Sequence, residues 1–114
     1  MIIGDKVIAS ETDIDKSKVI ICGHAIERFV DHLKERSLPL PKSYRQAKEM
    51  LAKLFLYSFH KNAIDPVRKV KALIDHGETF FFRNGPWLFP VTGTKGKNAK
   101  HLILITAIWN RRLR

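Results

Sequence analysis

The spacing of the apolar residues changes near Glu78, and this change sets the expected fold class. Before Glu78, apolar residues recur every three or four positions in three segments, which predicts three helices. These segments cover residues 24–38, 43–60 and 66–76. After Glu78, apolar runs separated by turn residues predict strands. We therefore expect one α+β domain over residues 1–114, with N-terminal helices packed on an antiparallel β-meander from the C-terminal half.

Cap residues mark the ends of the predicted helices. Gly23 is the expected N-cap of the first helix, and Ser43 followed by Gln46 has the form of a capping box at the second. Asp65-Pro66 supplies an N-cap and a first-turn proline for the third helix, and Gly77 can adopt the left-handed conformation after its end. The inward-facing positions expected on the second and third helices are Ala47, Met50, Leu51, Leu54, Phe55, Ser58, Val67, Val70 and Ile74.

Apolar runs with turn signals between them predict the strands. Residues 3–9 and 18–22 predict two strands or one strand after a loose leader, and the other expected strands cover residues 79–82, 87–89 and 102–109. Asn84-Gly85 is a strong signal for a two-residue hairpin. Pro90 cannot donate to a β-ladder, so its strand is expected at a sheet edge or with a bulge. Residues 102–109 are apolar on both faces, apart from Thr106, which predicts a central strand.

The charge of the chain is strongly positive and unevenly distributed. There are 21 Lys and Arg residues against 11 Asp and Glu, which gives a formal net charge of +10. Residues 1–15 carry one basic and four acidic residues, whereas residues 79–114 carry seven basic and no acidic residues. The positive field is therefore expected in the C-terminal third. Such a field attracts nucleic acid, acidic proteins or anionic lipid, and charge alone does not choose among them.

Cysteine and histidine usage gives no indication of a metal or a cofactor. The single Cys22 excludes an intrachain disulfide and a Cys-based zinc site, and it indicates a reducing, cytoplasmic setting. The five histidines are scattered, with no metal-ligand spacing. The segment from Gly93 to Lys97 lacks the spacing of a nucleotide-triphosphate loop. No export signal and no run of about 18 apolar residues is visible, so we expect no membrane contact.

His24 and Arg28 form the pattern that most directly suggests chemistry. They lie four residues apart and face away from the apolar side of the predicted first helix. Imidazole is suited to proton transfer near neutral pH, and guanidinium can hold a phosphate through two parallel hydrogen bonds. The pair therefore suggests phosphodiester chemistry. The alternative is that His24 caps the helix and that Arg28 pairs with Asp31 or His32 on a solvated face.

Basic and aromatic residues of the C-terminal third are the candidate contacts to RNA. The lysine-rich loop at residues 93–100 can wrap a flexible backbone, and Trp87 and Trp109 can stack on bases. The alternatives are a loop that only keeps the protein soluble and tryptophans that belong to the core. The complete set of candidate RNA-binding residues is Arg83, Trp87, Lys95, Lys97, Lys100, His101, Arg111 and Arg112.

Three segments together resemble a family of small bacterial and phage proteins. The segments are His24-Ala25-Ile26-Glu27-Arg28-Phe29, Asn84-Gly85-Pro86-Trp87-Leu88-Phe89 and Ile103-Leu104-Ile105-Thr106-Ala107-Ile108. In order and spacing they are similar to the RelE-like and BrnT-like ribonuclease toxins, within the broader barnase, EndoU, colicin and RelE fold group. The resemblance covers roughly residues 18–109. It implies a RelE-like α+β domain.

The resemblance also implies an activity, which is metal-independent cleavage of RNA. In this reaction a base activates the ribose 2′-hydroxyl and cationic groups stabilise the phosphorane. His24 and Arg28 match the helix motif, and Thr106 matches the threonine of the last strand, so these three are the implied catalytic residues. A toxin of this kind implies an acidic antitoxin that covers residues 79–114. The alternatives are a non-catalytic nucleic-acid-binding protein, for example a viral one, or a basic subunit of an assembly with an acidic partner.

Overall fold

The structure, a computed structural model, describes residues 2–60, 66–94 and 100–110. Within these residues the chain has an α+β fold of three helices and seven short strands. The helices are α1 (Gly23–Glu35), α2 (Tyr44–Leu56) and α3 (Pro66–His76), and the strands are β1 (Ile2–Ile3), β2 (Lys6–Val7), β3 (Ile20–Ile21), β4 (Thr79–Asn84), β5 (Trp87–Gly93), β6 (Leu102–Leu104) and β7 (Ile108–Trp109). None of the three described helices is long and apolar enough to cross a membrane.

The main sheet is mixed: β4, β5 and β6 pair antiparallel in chain order, whereas β3, from the N-terminal half, pairs parallel with β6. The α+β fold class is confirmed, and the mixed sheet leaves the expected arrangement of helices on an antiparallel meander unconfirmed. The strand order of the main sheet is β3-β6-β5-β4, and β7 pairs with β5 beyond the end of β6. The β3 strand runs parallel to β6, with Ile20 opposite Ile103. A parallel pair needs a long crossover, and the chain between these strands includes all three helices. The separate β1-β2 pair is an antiparallel hairpin near the N-terminus.

The hairpin between β4 and β5 turns one residue later than the sequence signal indicates. Asn84 is paired with Trp87, so the two loop residues are Gly85 and Pro86. Gly85 has a φ of +58°, and the proline ring fixes the next φ near about −65°. A positive φ followed by a negative one is the pattern of a turn with glycine at its first central position. Pro86 therefore selects the position of the loop.

A β-bulge interrupts the strand that was expected to run without a break over residues 102–109. The register changes between two pairs, Leu104 opposite Val91 in β6 and Ile108 opposite Leu88 in β7. Residues 105–107 therefore face only two residues of β5. One of those two is Pro90, which has no N–H to donate and whose carbonyl accepts from Ile105 N at 3.2 Å. A bulge is present, but its extra residue lies in the chain opposite Pro90 and not in the Pro90 strand, where it was expected. The expected edge position is wrong because β5 is paired on both sides.

The main core lies between one face of the sheet and the helices α1 and α2. Its largest fully buried side chains are Phe29, Phe55, Phe89, Ile26, Leu51, Leu104 and Val91. The inner positions predicted for α2 are buried or partly buried, so that prediction is confirmed. The Ser43 hydroxyl accepts from Gln46 N at 3.1 Å, but the Gln46 side chain accepts from Lys42 N and not from Ser43. The N-cap of α1 is Cys22 and not Gly23, one residue earlier than expected.

Helix α3 has the predicted bounds but presents the opposite side to the sheet. Val67, Val70 and Ile74 are exposed, so their expected inward position is wrong. Arg68, Lys71 and Asp75 face the second side of the sheet instead. The period of apolar residues shows which side chains share a helix face, but not which surface that face contacts. Gly77 follows the helix with a φ of +78°, as expected, and the Asp65 cap lies outside the described residues.

Replacing Gly85 with alanine tests the turn. Gly85→Ala should lower the free energy of unfolding by about 1 kcal/mol, because a residue with a β-carbon is strained at positive φ. Added bulk is not the cause, since no atom lies within 4 Å of the new β-carbon. Gly23→Ala is the control: its β-carbon would meet the Tyr44 hydroxyl at an ordinary 3.6 Å, so stability should be unchanged or slightly higher. Equal losses in urea denaturation would contradict the assigned turn.

Candidate nucleic-acid interface

His24 and Arg28 lie on one exposed stripe of α1, as their spacing predicts. His24 is exposed, and Cys22 occupies the N-cap position, so His24 does not cap the helix. Arg28 Nη1 lies 3.7 Å from Asp31 Oδ2, and both side chains are partly exposed. This solvated ion pair is one of the alternatives raised by the sequence. A phosphate bound to Arg28 has to compete with the Asp31 carboxylate.

Thr106 lies in the bulge and faces a different part of the molecule from His24. It is partly exposed and lines a recess of about 180 Å³ with Arg68, Lys71 and Asp75 of α3. Neither His24 nor Arg28 lines this recess. Helix α1 packs in the main core, on the other side of the sheet from the recess. The structure therefore separates Thr106 from the other two residues of the expected catalytic set.

Trp87 is a core residue, and its expected role as an RNA contact is wrong. Only 6% of its surface is exposed. Its ring centroid lies 5.0 Å from that of Phe29 and 5.1 Å from that of Trp109, and the pair with Trp109 is edge-to-face. A base cannot stack on a ring that is enclosed by other rings. Trp109 is itself covered by the Arg36 guanidinium, 4.6 Å from its ring centroid.

Arg83 connects the end of α2 to the sheet. Its backbone and that of Phe59 exchange two hydrogen bonds, at 2.9 and 2.8 Å. Its guanidinium lies 5.3 Å from the Phe59 ring centroid, a distance typical of a cation–π contact. These contacts give Arg83 a structural role. The candidate RNA contacts that lie outside the described residues are Lys95, Lys97, Arg111 and Arg112.

Lys100 and His101 are exposed and line the first basic recess, a concave site of about 280 Å³ near the start of β6. Lys6 and Lys18 line the same recess, and the sequence did not single them out. The parallel pairing of β3 with β6 explains why Lys18 meets Lys100 and His101, because the residues before both strands lie at the same end of the sheet. Lys6 comes from β2 of the separate hairpin. The apolar residues that line the recess are Ile3, Ile8, Ile14, Val19 and Leu102.

Two carboxylates moderate the positive charge of the first basic recess. Asp13 accepts from the backbone N–H groups of Ala9 and Ser10, which lowers its pKa, and nearby Lys6 lowers it further. Asp15 accepts from the hydroxyl and the N–H of Ser17, which lowers its pKa in the same way. Both are ionised near neutral pH and hold local turns.

The first basic recess therefore combines three lysines with two carboxylates and one imidazole. The lysines outnumber the carboxylates by one, and the imidazole adds positive charge when it is protonated. Such a site can hold one phosphate group near the ammonium groups. Its apolar residues can cover the face of a sugar or base. The local sequence gives no signal for this site, because it is assembled from segments that are far apart in the chain.

The imidazole of His32 is buried where α1 meets the aromatic core. It is 9% exposed, and its ring packs edge-on against Trp87 with a centroid distance of 5.9 Å. Burial lowers the pKa of His32, and the charges of Arg28 and Arg36 lower it further, against a smaller raising effect of Glu35. The Arg36 guanidinium lies 3.1 Å from His32 Nδ1, as a donor to a neutral imidazole. His32 therefore acts as a structural acceptor.

Metal ligation and similarity to known proteins add no further candidate residues. Among residues 2–60, 66–94 and 100–110, no group of three or more His, Cys, Asp or Glu side chains is placed to hold a metal ion. Comparisons with known protein families, with curated proteins and with solved structures find no match to this chain. The residues of the two recesses and their geometry are therefore the features that bear on function.

The lowered pKa of His32 predicts a loss of stability in mild acid. The unfolded chain has a histidine pKa near 6.5, and the folded value is lower, so the unfolded state binds more protons between the two values. The contribution of His32 is present above about pH 6.5 and decreases as pH falls through the folded pKa. Unfolding free energies from urea denaturation at pH 7.5 and pH 5.0 should therefore differ more in the wild type than in His32→Gln. Parallel changes in both proteins would contradict this assignment.

Proposed function

We propose that this protein binds RNA, and that the first basic recess holds one of its phosphate groups. The observation that carries the proposal is the meeting of Lys6, Lys18, Lys100 and His101 at one concave site. Lys6 and Lys18 come from the first 18 residues of the chain, and Lys100 and His101 come from more than 80 residues later. Ammonium groups attract the phosphates of RNA whatever its base sequence, so we expect binding that depends mainly on the sugar-phosphate backbone of the RNA.

The form of the first basic recess favours single-stranded RNA over a duplex. A volume of about 280 Å³ is suited to one nucleotide unit and not to a duplex groove. Apolar side chains at such a site can contact a sugar or base that is not stacked in a helix. The connection between β5 and β6 carries Lys95 and Lys97 in sequence next to Lys100, and its ends are joined by a bond from Thr94 N to His101 O of 3.0 Å. The positive charge of this connection adds to the attraction of RNA phosphates.

A second candidate function is toxin-like, metal-independent endoribonuclease activity. One observation favours it: the recess places an imidazole, His101, beside the lysines. An imidazole near a bound phosphodiester can take the proton of the ribose 2′-hydroxyl, and ammonium groups can stabilise the charge of the phosphorane. His24 with Arg28 is the alternative catalytic pair. This candidate includes an acidic antitoxin as partner, whereas the binding function does not require one.

Binding to RNA should depend on salt through the lysines of the first basic recess. We expect the double substitution Lys18→Ala and Lys100→Ala to reduce the magnitude of the slope of log affinity against log salt concentration by about 1 to 2. The reason is that fewer counterions leave the RNA on binding when fewer lysines contact its phosphates. Lys53→Ala with Lys48→Ala is the control, since both lysines are exposed on α2. Fluorescence anisotropy with a short single-stranded RNA at several salt concentrations measures the slopes. Equal slopes in the two double variants would exclude the recess as the binding site.

Cleavage assays decide between the two candidate functions and between the two histidines. If His101 is the base, His101→Ala should lower single-turnover cleavage by on the order of 10²- to 10⁴-fold while RNA affinity changes little. His24→Ala should then leave the rate unchanged. The reverse result would assign the reaction to His24 and Arg28. An inactive wild-type protein that still binds RNA would remove the endoribonuclease and leave the binding function.

A further inference from the structure

Helix α3 has an apolar side that it does not use against the sheet. Val70, Leu73 and Ile74 are 57%, 59% and 78% exposed. The sheet offers an apolar surface on this side, formed by Phe81 and Leu88 with Ile108 against them. Burying aliphatic side chains is favourable, so a helix that turns its charged side toward this surface forgoes that stabilisation. The result is a second recess with a polar rim and an apolar floor.

The rim of the second recess is formed by Arg68 and Lys71 of α3 and by Thr106 of the bulge. Arg68 and Lys71 are three residues apart and therefore lie on one face of the helix. Asp75, one turn after Lys71, also lines the recess, which leaves one net positive charge. The residues of its floor are Phe81, Pro90, Ile105 and Ile108.

The bulge is what brings a hydroxyl group to this rim. Residues 105–107 are out of register with β5 because they face two residues and not three. Bulges turn a side chain in a direction that a regular ladder does not allow, and they are frequent next to functional sites. Thr106 is partly exposed and its neighbour Ala107 is buried. The hydroxyl is therefore available to a ligand in the recess.

We propose that this second recess binds a phosphate group. The planar guanidinium of Arg68 matches phosphate oxygens with two parallel hydrogen bonds, Lys71 supplies a second positive charge, and the Thr106 hydroxyl is a further donor. The apolar floor suits the organic part of a phosphate ester. The recess shares no lining residue with the first basic recess, so this proposal does not depend on RNA binding there.

The same phosphate chemistry has two sources, a free phosphate monoester and a phosphodiester of RNA. Titration with inorganic phosphate, with adenosine monophosphate and with a short single-stranded RNA separates them, followed by amide shifts in ¹⁵N NMR spectra. Shifts around residues 104–108 and 68–75 with either small molecule support a monoester site. Shifts there with RNA alone support a phosphodiester site. No shifts at these residues with any of the three probes would overturn the proposal.

Substitutions distinguish a built site from general attraction by positive charge. Arg68→Ala should weaken binding of the probe that shifts these residues by about tenfold or more, since charge-assisted hydrogen bonds contribute about 1.5 to 3 kcal/mol. Thr106→Val should weaken it by about threefold to tenfold. Lys69→Ala is the matched control, because Lys69 is exposed on the same helix and does not line the recess. Equal losses for Arg68→Ala and Lys69→Ala would overturn the proposal.

Two outcomes keep this proposal separate from the proposed function. Loss of RNA binding in the Lys18 and Lys100 variant, with phosphate binding at Arg68 retained, would support both sites independently. Retained RNA binding in that variant would remove the first recess as the RNA site, while the effect of Arg68→Ala on phosphate would still decide the second. Circular dichroism confirms that each variant is folded before affinities are compared.

Discussion

The missing N–H of Pro90 is the constraint on which the sheet depends. Pro90 lies within β5, a strand that pairs on both sides and therefore has no free edge at which the missing donor is harmless. The chain opposite Pro90 contains one extra residue, and the Pro90 carbonyl accepts a hydrogen bond from Ile105 N. This extra residue separates β6 from β7 and moves Thr106 out of the ladder. The second recess is a direct result of that displacement.

The parts of the fold that depend on local signals could be predicted from the sequence. The α2 start at Ser43, the positive φ at Gly77 and the bulge opposite Pro90 each depend on the chemistry of one or two residues. The hairpin loop lies one residue later than the Asn84-Gly85 signal indicates, because Gly85 and Pro86 together fix the turn. In contrast, the exposed apolar side of α3 had no local signal, since its orientation depends on contacts with a distant surface.

In the candidate sites, too, some features follow from neighbouring residues in the sequence and others depend on contacts between distant segments. The spacing of His24 and Arg28 gave their common helix face correctly, but it could not show that Thr106 lies on the other side of the sheet. Lys6 and Lys18 lie in a part of the chain whose net charge is negative or near zero, so the composition gave no reason to expect a positive site there. The pairing of β3 with β6 brings Lys18 close to His101, and Lys6 reaches the same recess from the separate β1-β2 hairpin.

The parallel pair β3-β6 also has a consequence for when the first basic recess forms. Ile20 and Ile103 must meet across most of the length of the chain, and the entropy of closing such a long loop has to be offset before the contact is made. During synthesis, the N-terminal lysines leave the ribosome long before residues 100–102 exist. The recess is therefore completed only after all three helices and β5 have been synthesised. The nascent chain cannot form this recess until residues 100–102 have been added and have left the ribosome.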